Sequence, residues 1–140
     1  MLIKQLSIFV ENKVGRLAEI TEIIAKHNIN IEALSIADTT NFGILRIIVA
    51  DPYAAEKILK EEGLTVSVTS VISVALRDKP GSLSEVLRLL AEKKITVEYM
   101  YAFVSNPEED HAAYVIMRIE DEFNAMKLLE DTGFHGLKRD

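Results

Sequence analysis

The chain repeats one unit twice, and this repeat constrains its fold more than any other feature of the sequence. A shift of 66 residues aligns eight identical residues in one register, and a shift of 70 aligns five more after a four-residue insertion. The copies cover residues 1–70 and 71–140, and we expect each to be one domain. The identical pairs are Ser7/Ser73, Lys13/Lys79, Gly15/Gly81, Leu17/Leu83, Glu19/Glu85, Ala25/Ala91, Ile29/Ile95, Glu32/Glu98, Asp51/Asp121, Ala55/Ala125, Lys57/Lys127, Leu59/Leu129 and Gly63/Gly133.

The apolar residues of the first copy change their spacing in a fixed order. Leu6, Ile8 and Val10 alternate as in a half-buried strand, and a helical spacing follows the break at Gly15. Asp51 is typical of a helix N-cap. The predicted order is strand 6–10, helix 17–24, strand 31–37, strand 43–50, helix 52–62 and strand 65–69.

The second copy repeats this order. It predicts an α+β fold of two ferredoxin-like βαββαβ units in tandem, each an antiparallel sheet with its helices on one face. Because no Gly or Pro lies between Leu64 and Lys79, the last strand of copy one should run directly into the first strand of copy two. The predicted elements are strand 71–76, helix 83–93, strand 96–104, strand 113–120, helix 122–132 and a last strand within 136–139.

An apolar stripe is predicted on the sheet face that carries no helices. Tyr99, Tyr101 and Phe103 have the parity opposite to the core residues of their strand. An open face of this kind is commonly a protein contact surface, so we expect a homodimer or a higher homo-oligomer that covers it. The residues predicted to share the face are Ile44, Ile48, Tyr114 and Ile116.

Charge and cysteine content exclude several classes of protein. The net charge of −6 opposes binding to nucleic acid or to an anionic membrane surface. Without cysteine the chain has no disulfide, no thiolate nucleophile and no cysteine-based metal site. The sequence has no signal-peptide pattern and no apolar run of spanning length, so we expect a cytoplasmic protein.

No motif nominates a catalytic centre, a cofactor or a metal. The histidines His27, His111 and His135 are far apart in sequence and have no metal-ligand spacing. The segment Pro80–Ser84 contains serines near a turn but does not match Gly-x-Ser-x-Gly, and no phosphate-binding glycine motif is present. We therefore expect a protein that is not an enzyme.

The turn between the first strand and the first helix is the most informative segment of each copy. Gly15 and Gly81 stand just before a helix, where a tight backbone turn leaves the first helical N–H groups free to receive a carboxylate. The start of the next strand, at Asn30 in copy one, is the second part of the pattern. Taken singly, both glycines fit ordinary tight turns and Asn30 fits an ordinary first residue of a strand.

RNA recognition is an alternative because RNA-recognition modules share this fold. Those modules place aromatic side chains on the central strands within a basic, glycine-rich signature. The corresponding strands here, residues 43–48 and 113–118, lack that signature. The stripe at Tyr99, Tyr101 and Phe103 could stack bases, and the net charge favours a protein interface instead.

Together and doubled, these motifs resemble the ACT domain, a small-molecule-binding regulatory module of amino-acid metabolism. The resemblance covers essentially the whole chain. It implies that two ACT units meet edge strand to edge strand and hold a free amino acid where they meet. The four markers, in order, are Asn12-x-x-Gly15-x-Leu17, Ile29-Asn30-Ile31, Asp78-Lys79-Pro80-Gly81-Ser82-Leu83 and Ile95-Thr96-Val97.

The resemblance also implies which residues contact the ligand. In copy one, Asn12 supplies a polar side chain, and Asn30 accepts the ligand ammonium with Ile31 beside it. The amides that would receive the ligand carboxylate are those around Val14, Gly15, Arg16 and Leu17. The corresponding residues of copy two are Asp78, Pro80, Gly81, Ser82, Leu83, Thr96 and Val97.

Both copies depart from the family pattern. Asp78 and Thr96 replace the two asparagines in copy two, and Val14 stands where the family usually has proline. These differences leave open whether one site binds or both do.

The expected function is that of an amino-acid-binding allosteric sensor that modulates a partner in trans. An aliphatic or aromatic amino acid is favoured by apolar neighbours such as Leu17, Ile31 and Val97. An alternative is a regulatory subunit of an amino-acid biosynthetic enzyme such as acetolactate synthase, and RNA binding is a minor one.

Overall fold

The structure is a computed structural model that describes residues 1–38, 41–104 and 113–137. Within these residues the order of elements confirms the predicted α+β fold of tandem βαββαβ units. The elements are β1 Leu2–Glu11, α1 Arg16–Lys26, β2 Ala33–Asp38, β3 Phe42–Ile48, α2 Pro52–Glu61, β4 Val66–Leu76, α3 Ser82–Glu92, β5 Val97–Val104, β6 Ala113–Ile119 and α4 Glu122–Asp131.

Strand β4 joins the two copies of the repeat. It runs without a break over 11 residues, so the predicted fusion of two successive strands is confirmed. The described chain divides into two compact units. The first unit is Lys4–Thr69, and the second unit consists of Met1–Ile3 together with the described residues from Ser70 onward.

The first unit has one helix-covered sheet face. Strand β3 pairs antiparallel with both β1 and β2, and Leu45 lies opposite Ile8 on one side and Ile36 on the other. The start of β4 lies beside β1, where Phe9 N donates to Thr65 O at 3.0 Å. The core combines strand and helix residues: Leu6, Ile8, Val10, Leu45, Ile47, Ile20, Ile24, Ala55 and Leu59.

The second unit is built in the same way. Strand β6 pairs antiparallel with β4 and β5, and Met117 lies between Ile72 and Met100. Its core is formed by Ile72, Val74, Leu76, Val86, Leu90, Val115, Met117, Ile119, Ala125 and Leu129.

The chain after α4 returns along β4. Ala75 N donates to His135 O at 2.7 Å, which repeats the bond of Phe9 to Thr65 in the first unit. Leu137 N donates to Ser73 Oγ at 2.8 Å. Residues 136 and 137 do not form the predicted last strand, and residues 138 and 139 lie outside the described part of the chain.

The helix-free face differs from the prediction in its exposure. Tyr101 lies opposite Ile116, and Phe103 stacks on Tyr114 with ring centroids 5.4 Å apart, so the predicted stripe does share one face. The prediction that this face is open is wrong at Ile116 and Ile48, which are 0% and 1% exposed in the single chain. These buried side chains therefore do not offer a contact surface.

The exposed large apolar side chains lie elsewhere. In the first unit Leu34 and Ile36 on the edge strand β2 are 55% and 41% exposed, and in the second unit Val104 on the edge strand β5 is 62% exposed. Leu34 and Ile36 lie opposite the core residues Ile47 and Leu45, and Val104 has the parity of Ala102, which lies opposite the core residue Val115, so all three share the helix-covered face and are exposed at its edge. The alternation of residues along these edge strands had predicted buried core positions for these side chains.

Candidate functional site

The turn from β1 into α1 leaves helix amides without acceptors. Gly15 adopts the left-handed conformation with φ 83° and is the N-cap, and no side chain caps the helix. Arg16 N donates to Lys13 O at 3.2 Å and Glu19 N donates to Gly15 O at 3.0 Å. Among the described residues the N–H groups of Leu17 and Ala18 have no acceptor, and such groups favour an anion.

A cavity of about 260 Å³ lies at this turn within the first unit. Its wall combines the end of β1, the turn, the first turn of α1 and the far end of the β2–β3 hairpin. The lining residues are Val10, Glu11, Asn12, Lys13, Leu17, Ile36, Asp38 and Gly43.

Gly43 keeps this cavity open. It lies opposite both Val10 and Asp38 in the sheet register. A Cβ atom at this position would stand 3.0 Å from Asp38 Oδ1 and 3.7 Å from Ile36 Cγ2, which is tighter than ordinary packing. A side chain at position 43 would therefore require the Asp38 carboxylate to shift from this position.

Most of the charged side chains around the turn form ion pairs with one another. Glu11 pairs with Lys13 at 3.4 Å and with Arg16 at 3.9 Å, and Arg16 also pairs with Glu19 at 3.0 Å. Asp38 makes no ion pair with a described residue. Its carboxylate is therefore the acid at this cavity that is available for a cationic group.

The structure brings some of the predicted ligand residues of the first copy together and leaves others apart. Asn12 and Leu17 line the cavity. Val14 points entirely into solvent, and the Arg16 amide already donates to Lys13. Asn30 and Ile31 precede β2, whereas the cavity lies at the end of β2, so neither residue lines it.

The predicted residues of the second copy lie around different cavities. Gly81 has φ 90° and is the N-cap of α3, and the amides of Leu83 and Ser84 have no acceptor among the described residues. Gly81 and Leu83 border a shallow hollow on α3, whereas Ser82 lines a separate cavity with Arg77 and Lys79. Asp78, Pro80 and Thr96 are exposed, and Val97 packs against the core.

One titratable pair lies outside the cavities. His27 Nε2 is 3.1 Å from Glu62 Oε1, and Lys26 Nζ is 3.5 Å from the same oxygen. The hydrogen bond from His27 and the charge of Lys26 lower the pKa of Glu62 from its ordinary value of 4.5. The pair connects the ends of α1 and α2.

Metal-ligand clusters and membrane-spanning helices are both absent from residues 1–38, 41–104 and 113–137. In these residues no three His, Cys, Asp or Glu side chains are grouped closely enough to hold a metal ion. None of their helices is both long and apolar enough to cross a membrane. His111 lies outside the described residues.

A family model described as an ACT domain pair matches residues 1–133. The chain belongs to this family. The resemblance inferred from the four turn and strand markers is thereby confirmed.

Solved structures are similar to this ACT domain pair over nearly its whole length. Protein BT0572 from Bacteroides thetaiotaomicron is 42% identical, with a TM-score of 0.89 over 98% of this chain and 92% of that one. The regulatory subunit of aspartate kinase from Thermus thermophilus is 12% identical, with a TM-score of 0.62 over 95% and 97%. No curated protein is detectably similar in sequence.

Of the eight residues that line the cavity of the first ACT unit, the three on the β2–β3 hairpin were not predicted as part of a site from either the turn or the strand markers. Ile36, Asp38 and Gly43 come from the β2–β3 hairpin, for which the sequence pattern predicts only two paired strands. The sequence carried a signal, since a glycine near the start of a predicted strand often marks a close approach of backbone or ligand. Glu11 and Lys13 flank Asn12 and were within the marked turn.

Proposed function

We propose that this ACT domain pair is a non-catalytic regulatory protein that binds a free amino acid at the cavity of its first unit. The observation that carries the proposal is the pairing of two opposite groups there. Leu17 and Asp38 line the same space, and among the described residues the Leu17 amide has no acceptor and the Asp38 carboxylate has no ion pair.

The two groups match the two ends of a zwitterion. A helix N-terminus stabilises a carboxylate through its free N–H groups and the helix dipole. Asp38 would receive the ammonium, and Asn12 would add a polar contact. Val10 and Ile36 give the wall an apolar part, which favours an aliphatic side chain on the ligand.

The other predicted ligand residues do not line this cavity, and a second copy of the chain would supply them. Asn30 and Ile31 do not line this cavity, so we propose that they reach a ligand from an ACT unit of another copy of the protein. The same holds for the second-copy residues Asp78, Gly81 and Thr96. This arrangement requires a homo-oligomer.

Binding at such a place would couple the ligand to assembly. A ligand that contacts two units shifts the equilibrium toward the assembled state by its differential affinity and by no more than that. We propose that this shift alters the association of the protein with a second polypeptide in the cytoplasm. Regulation of an enzyme of amino-acid metabolism would fit this scheme.

A thermal-shift screen of the full chain against the free amino acids tests the proposal. A ligand at 100 times its dissociation constant stabilises the folded state by about 2.7 kcal/mol, which raises the melting temperature measurably. We expect stabilisation by one amino acid or a few of related side chain. A screen in which none stabilises the protein contradicts the proposal.

Variants locate the site. Asp38→Asn and Asn12→Ala should each abolish the shift while the unliganded melting temperature stays nearly unchanged, because both side chains are exposed. Asp131→Asn is the matched control, since it removes one negative charge from a residue that does not line the cavity. If binding survives both cavity variants, the amino acid binds elsewhere.

A further inference from the structure

A shallow hollow of about 570 Å³ runs along the exposed side of α3 in the second unit. It extends over about 15 Å, because residues 81–91 line it and each helical residue adds about 1.5 Å. The lining residues are Gly81, Leu83, Ser84, Leu87, Arg88 and Ala91. The α3 hollow is therefore a mainly apolar surface that contains one cation.

The Arg88 guanidinium is available to a partner molecule. Arg88 is exposed and makes no ion pair with a residue in the described part of the chain. The two leucines of the α3 hollow, Leu83 and Leu87, are half-buried and lie on the same side of the helix. An occupant that fits this surface should present one carboxylate between short or apolar side chains.

Helix α1 presents such a surface at the equivalent positions of the repeat. Both helices have 11 residues and the same exposed side, because their buried residues correspond after the shift of 66. The buried pairs are Ile20/Val86 and Ile24/Leu90. Glu22 stands at the position of Arg88, is exposed, and likewise has no ion pair with a described residue.

The two exposed sides differ most in the sign of this charge. The identical pairs on the same side are Leu17/Leu83 and Ala25/Ala91. Two α1 helices in contact would bring Glu22 beside another Glu22, and two α3 helices would do the same with Arg88. Contact between one α1 and one α3 instead pairs opposite charges. The complementary occupant of the α3 hollow is thus the α1 helix of a second chain.

The sizes of the apolar side chains favour an antiparallel orientation of the two helices. Antiparallel helices place each leucine opposite an alanine, so large and small side chains interdigitate. The opposed pairs are then Leu17/Ala91 and Ala25/Leu83. In this register Glu22 and Arg88 are offset by about 3 Å along the helix axis, which the long arginine side chain spans. Parallel helices would oppose leucine with leucine at one end and alanine with alanine at the other.

We propose that α1 of one chain docks antiparallel in the α3 hollow of a second chain, with Glu22 of the first chain paired to Arg88 of the second. A dimer with two-fold symmetry would contain this contact twice. The contact is one interface of the homo-oligomer that the proposed function requires, and it forms without a bound amino acid.

Charge reversal in the full chain, without added amino acid, tests the contact by sedimentation velocity. Glu22→Arg and Arg88→Glu should each raise the dissociation constant of the oligomer about tenfold or more, because each brings like charges together. An equimolar mixture of the two variants should associate like the wild type, since each then offers the charge that the other needs. Native mass spectrometry identifies the mixed species by its mass.

Charge reversals away from the contact are the matched controls. Glu61→Arg and Lys127→Glu alter exposed helix residues that have no ion pair with a described residue, and both variants should associate like the wild type. An oligomeric wild type that neither reversal at the contact weakens overturns the proposal and leaves the amino-acid site to its thermal-shift test. A mixture that stays dissociated, an equal loss in the controls, or a monomeric wild type also overturns it.

Discussion

Gly136 occupies a place where a side chain has no room. A Cβ atom there would overlap the carbonyl oxygen of Ser73 and lie 2.6 Å from Ser73 Oγ. The contact is with the backbone of β4, which cannot move without disturbing the bond from Ala75 N to His135 O. A glycine is therefore required for the chain after α4 to approach β4.

We expect Gly136→Ala to lower the free energy of unfolding by about 1–3 kcal/mol, the usual cost of overpacking a close contact. Urea denaturation measures the loss, and hydrogen exchange should show faster exchange of the Ala75 amide. Gly15→Ala is the control, because nothing lies within 4 Å of a Cβ atom there and only the left-handed φ is strained. Unchanged protection of Ala75 in Gly136→Ala would contradict the packing argument.

At the scale of elements, the repeat provides a test of helix capping. Asp51 caps α2, and its Oδ1 accepts a hydrogen bond from Ala54 N at 3.1 Å. Asp121 holds the corresponding position before α4 but makes no such bond, and its Oδ2 instead accepts from Asn124 Nδ2 at 2.9 Å. The two aspartates place the same charge at two helix starts.

We expect Asp51→Ala to cost about 1 kcal/mol of unfolding free energy, and Asp121→Ala to cost clearly less. Each variant removes one negative charge near a positive helix end, so the electrostatic loss is shared and the difference reports the cap bond. Chemical denaturation of both variants measures it. Equal losses would show that charge, and not the hydrogen bond, is what Asp51 contributes.

The ends of α1 and α2 are connected by a pH-dependent contact. Because His27 and Lys26 lower the pKa of Glu62, the ionised carboxylate contributes stability above pH 4.5, and this contribution is lost as the pH falls through the lowered pKa. We expect Glu62→Gln to reduce stability at neutral pH and to flatten the acid limb of the stability curve. Denaturation measured between pH 7 and pH 3 should show the two curves converging in acid, and parallel curves would contradict the assignment.

At the scale of the whole molecule, the exposed edge strands are where we expect association. Leu34 on β2 is 55% exposed, and an apolar edge strand is prone to pair with another chain. We predict a homo-oligomer at micromolar concentration in sedimentation velocity, and Leu34→Lys should shift it toward the monomer. Tyr53→Lys is the control, because Tyr53 is 60% exposed on a helix. A monomeric wild type would contradict this prediction.

The sequence predicted the elements well because each depends on local spacing. Alternation at Leu6, Ile8 and Val10 marked β1, and Asp51 with Pro52 marked the start of α2. Apart from the last strand, which residues 136 and 137 do not form, the elements were right in type, and their bounds moved by a few residues. The exposure of Leu34 and the burial of Ile116 were not predictable, because parity assigns a face but not what covers it.

The sequence by itself determined the duplicated βαββαβ order, the glycine turns before α1 and α3, and membership of the ACT domain pair family. Only the tertiary structure decided which side chains meet. Asp38 and Asn12 line one cavity because the β1–β3–β2 register places Val10 and Asp38 on either side of Gly43 and Asn12 N donates to Asn41 O nearby. Ser82 lines a cavity because the chain after α4 passes it. Local periodicity encodes backbone conformation, whereas these cavities arise from pairing between residues that are distant in sequence.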